Sequence, residues 1–108
     1  EKQKQKKRGI NMKNHLEELT EYVELIKKEY SKKKGNIDIY LLFDSLNKEY
    51  KLYLVQGNTE VRYKRDIEDD YVIISVYDKE DRLYFKSFSN KDCNMAFKEF
   101  KQIVEKYI

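Results

Sequence analysis

Residues 49–64 read Glu-Tyr-Lys-Leu-Tyr-Leu-Val-Gln-Gly-Asn-Thr-Glu-Val-Arg-Tyr-Lys. Tyr50, Leu52 and Leu54 alternate with Lys51, Tyr53 and Val55, the period of two expected of a half-buried strand. Gly57-Asn58 places a glycine at the first central position of a two-residue turn, which suits type II′. Folding about that turn pairs Leu54 with Val61 and Leu52 with Tyr63. It also sets Tyr53 opposite Arg62 and Lys51 opposite Lys64. The register is self-consistent, because the apolar set stays on one face. The Lys51–Lys64 pair is the exception, since like charges directly opposite repel.

The same period continues on either side. Upstream, Ile37, Ile39, Leu41 and Phe43 alternate with Asp38, Tyr40, Leu42 and Asp44, and a loop near residues 45–48 follows. Downstream, the polar connection 65–70 leads to a β-rich run, Tyr71–Tyr77. Residues 78–81 then turn the chain into another such run, Arg82–Phe88. Simple alternation puts Val72, Ile74, Val76, Leu83 and Phe85 on one face of this second hairpin. The other face then receives Tyr71, Ile73, Ser75, Tyr77, Arg82, Tyr84, Lys86 and Phe88.

Helices flank the strands. Asn14 with Glu17 can cap the first. Leu16, Leu19, Val23, Ile26 and Tyr30 then recur at three- and four-residue steps, one stripe of a helix. Acids crowd its first half and lysines its second, both complementing the helix dipole, and Gly35 supplies a left-handed stop. Ser89 with Asp92 opens a second helix, where Cys93, Phe97, Phe100, Val104 and Tyr107 form the stripe. The order α-β-β-β-β-β-α predicts an α+β fold: an antiparallel sheet of four to five strands, built from two meander or hairpin units, with both helices packed on one face.

At 108 residues the chain has material for one core only. Residues 1–13 are expected to form a basic flexible arm, with Lys2, Lys4, Lys6, Lys7 and Arg8 as its candidate binding residues, and 14–108 a single domain. The 23 Lys plus Arg against 20 Asp plus Glu give a net charge of +3, too small to name a partner by itself. Apolar and charged residues each make up 40%, a polar balance that includes no 18-residue apolar run able to span a membrane. The N-terminus lacks the apolar core of a secretory signal. One cysteine rules out an internal disulfide and points to a reducing, cytoplasmic setting. Lysine-rich, alanine-poor usage suggests an AT-rich genome, of bacterial or mobile-element origin.

With both helices on one side, the other face of the sheet stays uncovered. It is expected to carry Tyr40, Tyr53, Tyr71, Tyr77 and Tyr84, interleaved with Lys51, Arg62, Lys64, Arg82 and Lys86. Aromatic rings on a sheet can stack bases, and cations between them can hold phosphates. The basic arm would add counterion-release affinity. The leading expectation is therefore a small non-catalytic binding protein for DNA or RNA. The alternative is a protein interaction module, such as a phage- or plasmid-type inhibitor, an immunity protein or an oligomerisation domain, because exposed aromatic patches often mark interfaces. A plain solvated face is the competing reading, since Tyr favours strands and Lys or Arg protects them.

Catalytic signals are sparse, and no enzyme is expected. Asp44 followed by Glu49-x-Lys51 resembles the metal-dependent nuclease pattern of the restriction-endonuclease-like superfamily, in which such carboxylates would hold Mg²⁺ and the lysine would stabilise the scissile phosphate. The spacing is very short for that family, and no crossover helix follows the third strand, so a charged turn is the expected role. The acids at 66–70 lack the glycine and terminal Glu of a calcium loop. His15 is expected at the surface and Cys93 as a buried thiol; together they cannot form a zinc site. Glycines occur only at 9, 35 and 57, which excludes a phosphate-cradling loop. No cofactor, metal or small-molecule substrate is expected.

Overall fold

The alternating stretch becomes five strands. A computed structural model describes residues 15–33, 35–69 and 71–108. Helix α1 spans His15–Lys33, followed by β1 (Asp38–Asp44), β2 (Glu49–Gln56), β3 (Thr59–Asp66), β4 (Tyr71–Asp78) and β5 (Asp81–Phe88). A 3₁₀ turn at Asn90–Asp92 leads into α2, Cys93–Tyr107. The strands form one antiparallel sheet in sequence order, β1-β2-β3-β4-β5. The α+β arrangement is the one the sequence predicts. The basic arm (Lys2, Lys4, Lys6, Lys7 and Arg8) and the Asn14 cap lie outside the described residues.

The central hairpin has the predicted register: Leu54 faces Val61, Leu52 faces Tyr63, Tyr53 faces Arg62 and Lys51 faces Lys64. Gly57 sits at φ +60°, while Asn58 is not among the left-handed residues, as a type II′ turn requires. Gly35 ends α1 with φ +86°. Two of the other three hairpins turn through lysines in the left-handed region, Lys48 (φ 55°) and Lys79 (φ 59°). The turns are laced together at each end of the sheet. Lys79 N–H donates to the Asn58 carbonyl at 2.9 Å, and Ile67 N–H donates to the Lys48 carbonyl at 2.9 Å.

Both helices cover the same face. Their buried residues (Leu19, Tyr22, Val23 and Ile26 from α1; Ala96, Phe97, Phe100 and Val104 from α2) meet Leu52, Leu54, Val61, Tyr63, Val72, Ile74 and Val76 from the sheet. Two helical details differ from the sequence reading. In α1 the stripe is rotated, so that Tyr22 is buried and Leu16 is 38% exposed. Tyr22 earns its place through edge contacts with Phe97 and Phe100, at centroid distances of 5.9 and 5.8 Å. At α2 the Ser89–Asp92 capping box is replaced by the 3₁₀ turn, closed by Asp92 N–H donating to the Ser89 carbonyl at 2.9 Å, and no side chain caps the helix.

His15 is not a surface residue. Its side chain is 11% exposed, among the rings of Tyr50, Tyr63 and Phe97. Nδ1 lies 3.2 Å from Glu18 Oε1, and Nε2 lies 2.6 Å from the Tyr63 hydroxyl. A carboxylate only accepts, so Nδ1–H donates to Glu18, and the neutral ring's Nε2 accepts from Tyr63. This bond pins the start of α1 to the middle of β3. Burial holds the imidazole below its ordinary value of 6.5, aided by the Arg65 charge and opposed by Glu18. Protonation would turn Nε2 into a donor facing a hydroxyl hydrogen. The sign of the linkage follows: the unfolded chain binds the proton more readily, so this stability is present above about pH 6.5 and declines as the pH falls below it. In urea denaturation between about pH 7.5 and 5.5, the midpoint of the natural chain is expected to drop with acidification. His15→Gln should flatten that dependence, and an equal slope in both proteins would refute the assignment.

Candidate interaction face

The uncovered face can be read row by row from the strand register. Tyr40, Tyr53, Arg62, Ser75 and Phe85 form one row, and Leu42, Lys51, Lys64, Ile73 and Ser87 the next. Tyr77 and Arg82 face each other at one end, with Asp66 and Tyr71 at the other. Eight expected site residues therefore share this face: Tyr40, Lys51, Tyr53, Arg62, Lys64, Tyr71, Tyr77 and Arg82.

Tyr84 and Lys86 do not. They pair with Val76 and Ile74, on the helix-covered side, and Phe88 follows them to a position opposite Val72, where it is buried. The cause is a register shift next to the last turn: Tyr77 faces Arg82, but Val76 faces Tyr84, which leaves Leu83 as one extra residue in β5. A single inserted residue exchanges the faces of everything beyond it. Leu83 and Phe85, expected in the core, are instead 48% and 50% exposed. The Tyr84 hydroxyl donates to Glu99 of α2, and Lys86 Nζ reaches the same carboxylate at 3.2 Å. Burial, followed by Glu99, pushes the Tyr84 phenol above its ordinary range. Both side chains thus tie β5 to α2.

The cations on the face are engaged locally. Lys51 Nζ lies 3.8 Å from Asp44 and 3.9 Å from Glu49, and Lys64 Nζ lies 3.7 Å from the other oxygen of Glu49. The largely buried Glu49 carboxylate thus offsets the Lys51–Lys64 repulsion. Arg62 is 3.1 Å from Glu60, and its guanidinium is stacked between Tyr53 (5.3 Å) and Tyr77 (4.5 Å). The Glu60 hydrogen bond holds its pKa above the ordinary value. Arg82 lies over Phe85 at 4.8 Å. By register the face holds five acids (Asp38, Asp44, Glu49, Glu60, Asp66) against four cations (Lys51, Arg62, Lys64, Arg82), so it is nearly neutral. Its exposed apolar groups sit at the two edges: Tyr40 and Leu42 on β1, Leu83 and Phe85 on β5.

The Asp44, Glu49 and Lys51 side chains do converge, but Asp44 is spent on its own turn. Its Oδ1 accepts from the N–H groups of Leu46 (3.0 Å) and Asn47 (3.1 Å), and its Oδ2 accepts from Asn47 Nδ2 (2.8 Å). Those donors, Asn47's foremost, hold its carboxyl below the ordinary range. Among the described residues, no group of three or more His, Cys, Asp or Glu is arranged to hold a metal ion. Cys93 is a buried thiol outside any disulfide, its Sγ 3.7 Å from the Ser89 carbonyl.

Two hollows bear on binding. One lies between the helices, lined by Glu18, Glu21, Tyr22, Leu25, Phe97 and Lys101, and Lys101 Nζ lies over the Phe97 ring at 4.5 Å. The other opens at the centre of the uncovered face, around the Arg62 stack. No protein-family model matches the chain, and no curated protein or solved structure matches it either.

The inverted parity of β5 has a direct test. Phe88→Ala should lower unfolding stability by about 3–5 kcal/mol, as expected for emptying a core position. Phe85→Ala should cost no more than about 1 kcal/mol. Chemical denaturation of the two variants measures both, and the reverse ranking would restore the simple alternation.

Proposed function

We propose that this chain is a non-catalytic binding module whose uncovered sheet face docks a protein surface. The observation that carries this reading is the charge arrangement. Lys51, Lys64 and Arg62 are paired with carboxylates on the same face, while Tyr40, Leu42, Leu83 and Phe85 are left about half exposed. A nearly neutral surface with ordered charges and apolar edges suits a protein, whose own charges are mixed. Five strands at about 4.8 Å spacing, each seven or eight residues long, make a face roughly 20 Å by 25 Å. Once side-chain relief is counted, that approaches the ~800 Å² per partner of a standard interface. The single cysteine, buried, supports a cytoplasmic setting. Among the described residues, no helix is long and apolar enough to cross a membrane.

DNA or RNA binding is the second reading. The Tyr53–Arg62–Tyr77 stack favours it, since rings and guanidinium planes also receive bases, and so does the basic run Lys2–Arg8. Against it stand the acids that already hold these cations, because a phosphate would have to displace them.

Fluorescence anisotropy with single-stranded DNA, duplex DNA and RNA at about 50 and 200 mM salt separates the two. Little binding is expected even at the lower salt. Tight binding that falls by about 10³-fold or more over that range would favour nucleic acid and overturn the protein reading. In parallel, host proteins retained by the immobilised natural chain should be lost from a Tyr40→Ser/Phe85→Ser double variant and kept by Leu16→Ser on the outer surface of α1.

A further inference from the structure

Two rows of the uncovered face end in complementary groups at opposite edges of the sheet. From β1 to β5, one row runs Asp38, Val55, Glu60, Tyr77, Arg82, and the next runs Tyr40, Tyr53, Arg62, Ser75, Phe85. Asp38 and Arg82 are exposed. Among the described residues neither makes an ion pair, although Lys51, Arg62 and Lys64 on the same face all do. Tyr40 and Phe85 are each 50% exposed. The β1 edge thus carries an unmatched acid beside a half-bare ring. The β5 edge carries an unmatched cation lying over a half-bare ring, Arg82 on Phe85 at 4.8 Å.

We propose that the face docks a second copy of this chain, as a twofold face-to-face dimer in which the β1 edge of each copy lies on the β5 edge of the other. The inference rests on the protein-docking reading and names the partner, so the protein retained from the host is expected to include this chain itself. A twofold axis parallel to the strands and lying over β3 carries β1 onto β5 and keeps each row in place. Asp38 then meets Arg82 of the second copy and Tyr40 meets Phe85, and both contacts occur twice, as an isologous interface requires. No ion pair already on the face has to break. On the axis Arg62 approaches its own copy, but each guanidinium brings its bonded Glu60, so these groups carry no net charge. An axis across the strands fits worse, because it lays the row of Asp38 and Glu60 over Asp44, Glu49 and Asp66, acid on acid. Facing sheets pack about 10 Å apart with their strands within about 30° of each other. The face approaches the ~800 Å² per partner that a standard interface needs.

Sedimentation equilibrium of the full chain at about 1–300 µM, a range that brackets micromolar affinity, tests the proposal. The mass is expected to rise to twice that of one chain. Asp38→Arg sets cation against cation at both edges and Arg82→Asp sets acid against acid, so each variant alone should dimerise about tenfold or more weakly. An equimolar mixture of the two should recover the dimer, because every edge contact of the mixed pair is again opposite in charge. Both residues are exposed in the single chain, so neither substitution disturbs the core. Tyr40→Ser/Phe85→Ser should also lose the dimer, and Leu16→Ser should keep it. A chain that stays monomeric while its retention of host proteins still depends on Tyr40 and Phe85 would overturn the second-copy assignment and leave the docking face standing. A monomer that retains no host protein would overturn both. A dimer that survives Tyr40→Ser/Phe85→Ser, or a mixture no tighter than its components, would overturn the pairing of β1 with β5.

Discussion

The pairing of Leu52 with Tyr63 and of Leu54 with Val61 across the Gly57 turn sets every other face assignment in the molecule. A strand has only two faces, so fixing one pair fixes them all until a bulge intervenes. Tyr63 then becomes the fixed point of the core. It is fully buried, it packs against Phe97 and Phe100 at 5.8 and 5.0 Å, and its hydroxyl binds His15 at the root of α1. One residue of β3 thus fastens both helices to the same side of the sheet. The opposite side is bare because, among the described residues, both helices pack on the first side and there is no third. The uncovered face is a consequence of this arithmetic rather than a separate feature.

The central hairpin and its flanking strands were legible because their information is local: a period of two, a glycine at a turn position, and one consistent apolar set. Positions on β1 to β4, including Tyr40, Lys51, Tyr53, Arg62, Lys64, Tyr71 and Tyr77, followed from that alone. Arg82, next to its turn on β5, did too. Tyr84 and Lys86 did not, because the inserted residue is a property of the turn. Nothing in Asp78-Lys79-Glu80-Asp81 announces that a lysine will take φ 59° and throw Leu83 out of register. A signal was present in hindsight: simple alternation left the large apolar Phe88 uncovered, and the shifted register buries it. His15 and Tyr22 were missed for a different reason. Their burial depends on rings that α2 and β3 bring from far along the chain, which no window on α1 contains.

Interleaved lysine and tyrosine on a strand reads as a cationic platform only if the acids are ignored. In the fold, neighbours on the same face decide the matter: Glu60 holds Arg62 along its own strand, and Glu49 holds Lys51 along its strand and Lys64 across to the next, so the cations are balanced where they stand. The Arg62–Glu60 pair, more exposed than those of Glu49, adds little stability, about 0–1 kcal/mol. Together, the pairs orient the long side chains and hold the local field near zero. The result is a patterned surface rather than a uniformly basic one, which under the proposed docking would select by complementarity.

Both edge strands have an unpaired ladder side, the usual route to uncontrolled strand addition. β1 is bounded by Asp38 and Asp44, and β5 carries the Leu83 irregularity together with Asp81, Arg82 and Lys86. Charges and a bulge make poor templates for another strand, so the backbone edges are guarded while the side-chain face beside them stays open. The exposed apolar residues Tyr40, Leu42 and Phe85 project from these guarded strands onto the open face. Recognition through side chains is therefore left available where recognition through main-chain pairing is blocked. Under the proposed docking, a partner would meet the Arg62 stack at the centre and the apolar edges on either side without extending the sheet.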